Sequence, residues 1–302
     1  MQFYIFKCKL YSYKTEFKMY INSNHIKKAE QFFSLHHSEK ILVLPNIWEP
    51  LGALLLEQLG YKAVATASAS MSYTNAVADG ENIPLNNLLQ QLKTITNSVA
   101  IPVSVDFEKG YAENNSRLEE NIRYLIEVGA VGINIEDTNK HTNELLSIEV
   151  QCEKIKHIKY AAQKLGTPFF VNARTDVYIH GENFSADEKL AETIKRGKAY
   201  KDAGADCFYP IVMRDEQHIK TTVEELKMPV NILALSGIPP LKRLNEIGVA
   251  RVSLGPGFLK IAIKAMKNLA TKLQNLEGLN EIVENEITSD YLKELVAKQI
   301  QK

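Results

Sequence analysis

Four times along this chain a helix-like stretch ends at glycine and passes into an apolar run: Leu59-Gly60-Tyr61, Val128-Gly129-Ala130, Ala203-Gly204-Ala205 and Ile247-Gly248-Val249. Glycine supplies the left-handed residue that closes a helix, so each reads as a loop from helix to strand. Apolar runs at about 41–44, 63–66, 101–105, 131–135, 168–171, 207–210, 230–234 and 251–255 then give eight strand candidates alternating with helices. Their near-continuous apolar character argues for a parallel sheet covered on both faces. Eight such units favour a closed (β/α)8 TIM barrel with extra C-terminal helices. An open doubly wound sheet is the alternative, but no G-x-G-x-x-G or Walker A sequence follows an early strand.

With 302 residues and 45% apolar content the chain can bury a full core, and no composition break divides it. The expected organisation is a disordered extension at 1–18, a barrel over 19–276 and a helical segment at 277–302. The stretch 289–301 exceeds what a barrel needs and is a candidate for subunit packing, hence a homo-oligomer, tetramer or dimer. Acidic and basic residues balance at 36 each, which argues against nucleic acid and anionic membrane as partners. Cys8, Cys152 and Cys207 are too few and scattered for a disulfide framework or zinc cluster, so the expected compartment is the reducing cytoplasm. The first 18 residues mix aromatics with Lys7, Lys9, Lys14 and Lys18 and form no apolar run of signal or transmembrane length. They lack Arg and carry one Ser, unlike a transit peptide, and Met19 could be the natural start.

The run Ile101-Pro102-Val103-Ser104-Val105 ends abruptly in Asp106 and Glu108, with Gly110 freeing the turn, and Val131 to Ile135 ends in Glu136-Asp137. Asp106 and Glu108 share one side if the strand continues that far. Barrel active sites lie at the C-terminal strand ends. Asn46, Thr66, Ser68, Asp106, Glu108, Glu136, Asp137, Asn172 and Arg174 all fall at exits of the first five units, whereas later exits carry Ile211, Val212, Ser236 and Ser253. Carboxylates with little nitrogen or sulfur describe a hard-cation site, Mg²⁺ or Mn²⁺ rather than zinc. Arg174 offers a fork for a substrate anion, and the backbone at Ala67-Ser68 could donate to the same group. Each residue also has a structural reading. A strand-end acid often caps a helix, Arg174 could pair with Asp176 or Glu136, Cys207 suits a core, Trp48 suits packing, and His141, His180 and His218 suit solvent.

Taken in order, Val43-Leu44-Pro45-Asn46-Ile47-Trp48, Ala65-Thr66-Ala67-Ser68-Ala69-Ser70, Asp79-Gly80-Glu81, Val105-Asp106-Phe107-Glu108-Lys109-Gly110-Tyr111, Asn134-Ile135-Glu136-Asp137, Asn172-Ala173-Arg174-Thr175-Asp176 and Arg251-Val252-Ser253-Leu254-Gly255-Pro256 resemble the isocitrate lyase and phosphoenolpyruvate mutase superfamily. The resemblance implies a (β/α)8 barrel, usually a tetramer with swapped terminal helices, in which Mg²⁺ holds a small 2-oxo acid or its enolate while a C–C or P–C bond breaks or forms. It implies that Asp106 is the direct metal ligand. Glu108, usually Asp in the family, and Glu136 would hold metal-bound water, and Asp79 would stand at the loop edge. Arg174 would steady the substrate, with Thr66, Ala67, Ser68 and Asn172 beside it. Two departures stand out. The K-[KR]-C-G-H loop of the lyases is missing, and 139–144 resembles a shortened K-x-N gating loop in which Lys140, His141 and Asn143 are the candidate catalytic members. Ile211 stands where mutases have His and lyases usually Glu. The segment 138–147 is expected to be a mobile polar lid. The rival readings are a catalytically silent metabolite-binding barrel and a methylisocitrate lyase-like enzyme with a substitute general acid.

Overall fold

The structure is a computed structural model that describes residues 23–139 and 141–297. The expected extension at 1–18, the lid residue Lys140 and residues 298–301 of the stretch expected at a subunit contact lie outside the described residues. Nine short parallel strands run β1 Leu42–Leu44, β2 Asn46–Ile47, β3 Val64–Thr66, β4 Val103–Asp106, β5 Gly132–Glu136, β6 Phe170–Thr175, β7 Cys207–Pro210, β8 Asn231–Leu233 and β9 Arg251–Ser253. The ladders follow β2-β3-β4-β5-β6-β7 and β8-β9-β1. A parallel bridge from Phe208 to Val230 joins β7 to β8.

The remaining seam lies between β1 and β2, at Pro45, which has no N–H to give to a ladder. One strand is thereby split into two pieces that pair on opposite sides, β1 with β9 and β2 with β3. The Asn46 side chain bridges the gap. Its Oδ1 accepts from the amides of Leu254 and Gly255 (2.8 and 3.0 Å), and its Nδ2 donates to the Thr66 carbonyl (2.7 Å). Counting β1 and β2 as one position gives eight, and the sheet closes into a (β/α)8 barrel.

The four glycine turns are as read from the sequence: Gly60, Gly129, Gly204 and Gly248 all have φ between 89° and 106°. Ser185 caps the Ala186–Asp202 helix in a capping box with Glu188. Pro84 is the N-cap of the Leu85–Ser98 helix. Gly132 marks the closest approach of β5 to β6, since a Cβ there would lie 2.5 Å from the Phe170 carbonyl oxygen.

The Ser23–Leu35 helix packs Ala29 and Phe32 against Phe170, at the N-terminal end of β6. Beyond that helix His36 is buried, stacks on the Phe170 ring at 4.1 Å and meets the Phe32 carbonyl through Nδ1 at 2.8 Å. Burial, with nearby Arg251, holds its pKa down at about 3 against 6.5 for the free imidazole. The depressed value means that the stabilisation is full above pH 6.5 and is lost as pH falls toward 3. Thermal unfolding of wild type and His36→Phe between pH 7 and 4 is expected to show a steeper loss in wild type. The difference can approach about 1.4 kcal/mol per pH unit, and parallel curves would contradict it.

The C-terminal helices depart from expectation. The Gly257–Gln274 helix, at the end of the expected barrel span 19–276, buries only Leu259. Ile261, Ile263 and Met266 are 65%, 51% and 64% exposed, so the helix projects an apolar face outward. The Ser289–Ala297 helix, expected at a subunit contact, sets Leu295 among Ala53, Leu54 and Leu56 of its own barrel.

Candidate active site

β4 ends at Asp106, two residues short of Glu108, so strand alternation does not extend to it. Asp106 Oδ2 accepts the Ser68 amide (3.1 Å), and its own N–H donates to Thr66 Oγ1 (3.1 Å), which fixes the carboxylate between the β3 and β4 exits. Glu108 adopts φ +50°, so its side chain is re-aimed by the backbone rather than by strand alternation. Glu81 (+62°) and Tyr111 (+53°) are left-handed too. These three non-glycine residues bind one another in a ring. The Glu81 amide donates to Glu108 Oε2 (2.6 Å), the Tyr111 hydroxyl to Glu108 Oε1 (2.9 Å), and the Tyr111 amide to Glu81 Oε1 (2.6 Å). Left-handed backbone at three non-glycine positions persists only where surrounding contacts over-determine it, typically beside a functional site.

The carboxyls crowd one another. Burial, then the charges of Asp106 and Asp79, push Glu108 up to about 8. Asp79, on the exposed second loop, is raised by partial desolvation and by Asp106. Burial also raises Glu136, with Arg174 opposing and Asp176 and Asp106 adding to the rise. This donor set is oxygen-rich, and burial together with mutual repulsion disfavours the charged forms of Glu108 and Asp79, which fits a hard divalent cation. Among the described residues no three His, Cys, Asp or Glu side chains converge at direct ligating geometry.

Arg174 Nη1 pairs with Glu136 Oε2 (2.6 Å), and its Nε and Nη2 take both oxygens of Asp176 (2.6 and 3.1 Å). Both pairings read from the sequence are therefore made at once, and they orient the guanidinium toward the β5 exit. Asp137, beside Glu136 in the chain, turns the other way and is fully buried. It accepts from Thr175 Oγ1, the Asp176 amide, Arg196 Nη1 and the Tyr200 hydroxyl at 2.6 to 3.0 Å.

The model of the phosphoenolpyruvate phosphomutase family matches residues 32–274. A Mycobacterium tuberculosis protein without an assigned activity is 33% identical over 254 residues, covering 82% of this chain and 90% of its own. This chain belongs to the isocitrate lyase and phosphoenolpyruvate mutase superfamily. A 2-methylisocitrate lyase of Bacillus subtilis is 28% identical over 80% of both chains, and an oxaloacetate decarboxylase of Pseudomonas fluorescens 25% identical over 82% and 85%. A phosphonopyruvate hydrolase solved with oxalate and Mg²⁺ superposes at TM-score 0.78, covering 91% of this chain and 96% of that one. At 23% identity, that likeness is one of fold. The matched family and relatives are mutases and lyases, and this chain is an enzyme of that superfamily.

The residues expected beside a substrate have these partners in this superfamily member. Asn172 is fully buried and donates to Asn134 Oδ1 (2.7 Å) inside the barrel. Thr66 is fully buried beneath Asp106, supporting it. The Ala67 amide is committed to the Ile47 carbonyl (3.3 Å) and that of Ser68 to Asp106, so neither is an idle donor. The lid is shorter than expected. Thr138 bridges Leu145, and the Leu146 amide donates to the Asp137 carbonyl (2.7 Å), which pins both ends and leaves only 139–144 as a polar tip. Within that tip His141 is exposed and paired with Glu113 Oε2 (3.1 Å), and Asn143 is an exposed left-handed turn residue. Ile211 follows β7 directly, is 9% exposed, and precedes Val212 at φ +65°. Glu81, Tyr111, Arg196 and Tyr200 were not singled out from the sequence. Only the Glu81 and Tyr111 positions, inside quoted motifs, carried a signal.

Proposed function

We propose that this enzyme is Mg²⁺- or Mn²⁺-dependent and acts on a small 2-oxo acid or its enolate, breaking a C–C or P–C bond beside the oxo carbon. The crowding of Asp106, Glu108, Glu136 and Asp79 at one barrel exit supports the reading most strongly, because acids so placed repel one another unless a cation joins them. Asp106 would hold the cation directly, with Glu108, Glu136 and Asp79 on its waters. A bound cation supplies charge stabilisation to a developing enolate oxygen. The protein's own part is orientation. Glu81 and Tyr111 fix both oxygens of Glu108, and Asp176 fixes the Arg174 fork against the β5 exit, ready for a substrate carboxylate. The reading places the chain in the cytoplasm, in keeping with free Cys152 and Cys207.

The tip at 139–144 carries no cysteine, and a missing positioned acid typically costs about 10² to 10⁴ in rate. Decarboxylation or hydrolysis of an oxaloacetate-like acid asks less of the lid, since solvent can deliver the last proton. With Mg²⁺ present, mass spectrometry is expected to find turnover of such an acid, with isocitrate and 2-methylisocitrate poor substrates. Conversion of phosphonopyruvate to phosphoenolpyruvate is expected to be weak, since Ile211 offers no charged hydrogen bond. His141→Ala and Lys140→Ala are expected to reduce turnover less than Arg174→Ala. Rapid release of succinate from either tricarboxylate would overturn this assignment.

The outward face of the Gly257–Gln274 helix, with Leu276 96% and Val283 66% exposed just beyond it, supports a homo-oligomer in which a second copy covers these residues. Light scattering after gel filtration is expected to give a dimer or tetramer, with Ile263→Glu and Met266→Glu together shifting it toward monomer. A wild-type monomer at micromolar concentration would contradict it.

A further inference from the structure

Beside the carboxylate cluster, between the loops that follow β4 and β5, lies a cavity of about 180 Å³ whose lining is basic and amide-rich. Lys109 and Lys154 both line it and both are half-buried. Lys154 Nζ donates to the Glu136 backbone carbonyl (3.2 Å), and neither lysine forms an ion pair with a carboxylate among the described residues. Asn114, Asn115 and Asn139 add side-chain amides around them. Asn114 caps the Asn115–Glu127 helix, which has no acid in its first turn, so its positive end opens on the same space. The one carboxylate in the lining, Glu113, is at the exposed edge and is paired with His141. Half-buried ammonium groups with no direct ion pair, near which Glu136, Asp137 and Glu81 act on Lys154 only at longer range, gain from a ligand that brings a carboxylate into contact.

We propose that this cavity, which borders the carboxylate cluster, binds a small organic carboxylate through Lys109 and Lys154 without requiring a bound cation. The side-chain amides suit a planar oxygen pair, and there is room for a small dicarboxylate. The site goes beyond the proposed reaction, which needs only Asp106, Glu108, Glu136, Asp79 and Arg174.

The test is calorimetric titration of the full chain with succinate in EDTA, so that a chelated cation cannot contribute, on wild type, Lys109→Gln, Lys154→Gln and the remote Lys267→Gln. Succinate is expected to bind wild type and Lys267→Gln alike and to weaken about ten- to a hundredfold in either cavity variant, as the loss of one charge-assisted hydrogen bond implies. Circular dichroism confirms folding, and Lys109→Gln, on a half-exposed loop, keeps the test open if Lys154→Gln misfolds. No succinate binding to wild type, equal binding in both cavity variants, or binding of chloride and inorganic phosphate but not succinate would overturn the site. Because no cation is present, none of these outcomes bears on the proposed reaction.

Discussion

Asp137→Ala is expected to lower the folding free energy by about 3–5 kcal/mol, the range for breaking a buried charge pair and leaving its partner behind. The carboxylate is fully buried, and Arg196, Tyr200, Thr175 and the Asp176 backbone all donate to it. These donors tie the β5 exit to the β6 exit and to the Ala186–Asp202 helix, so the loss is not local. Arg196 would keep Glu192 at 2.8 Å, but its Nη1 would face a void that water cannot fully satisfy. Urea unfolding reads the effect, with Glu153→Ala, an exposed residue paired only with Lys156, as a surface comparison expected to stay within about 1 kcal/mol. A midpoint for Asp137→Ala equal to wild type would show that the network does not hold the strand ends.

Asp106→Ala is expected to behave in the opposite way, abolishing function while sparing the fold. Its charge contributes to the raised pKa of Glu108, Asp79 and Glu136. Glu108 has a folded value near 8 against 4.5 in the free chain, so it disfavours the folded state increasingly as pH rises from 4.5 toward 8. Removing Asp106 relieves part of that repulsion, and the metal-free variant should melt at or above the wild-type temperature near pH 8. Turnover of a 2-oxo acid should fall by about 10³-fold or more, because a metal ligand supports several kcal/mol of transition-state charge stabilisation. A variant that melts well below wild type without metal, or retains near-normal turnover, would show that Asp106 is a structural cap on the Ser68 turn.

Much of the site was legible because barrel strands are short apolar runs whose next polar residue must lie at the rim. Asp106, Glu136 and Arg174 were placed at the rim that way, and the fold followed from the glycine turns. Alternation also separates Glu136 from Asp137, since adjacent strand residues face opposite sides and only one can look into the barrel mouth. What was hidden depends on backbone angles and distant partners. Nothing in Asp-Phe-Glu-Lys-Gly-Tyr announces that Glu108 and Tyr111 are left-handed, and the strand-based expectation for Glu108 failed on that point. Arg196 reaches Asp137 across 59 residues, a pairing no local pattern encodes. The buried fate of Thr66 and Asn172 turned on where each short strand stops, which sequence periodicity fixes only to within a few residues.

The central claim is that the acids at the β4 and β5 exits form a cation site that presents an enolate-binding face. Thermal unfolding of the purified chain with and without Mg²⁺, and with and without oxalate as an enolate mimic, tests it most directly. Mg²⁺ alone should raise the melting temperature, by an amount corresponding to about 2.7 kcal/mol at a hundredfold excess over its Kd. Oxalate should add a further rise only when Mg²⁺ is present and Asp106 intact. A melting temperature indifferent to Mg²⁺ and Mn²⁺, with or without oxalate, would contradict the account.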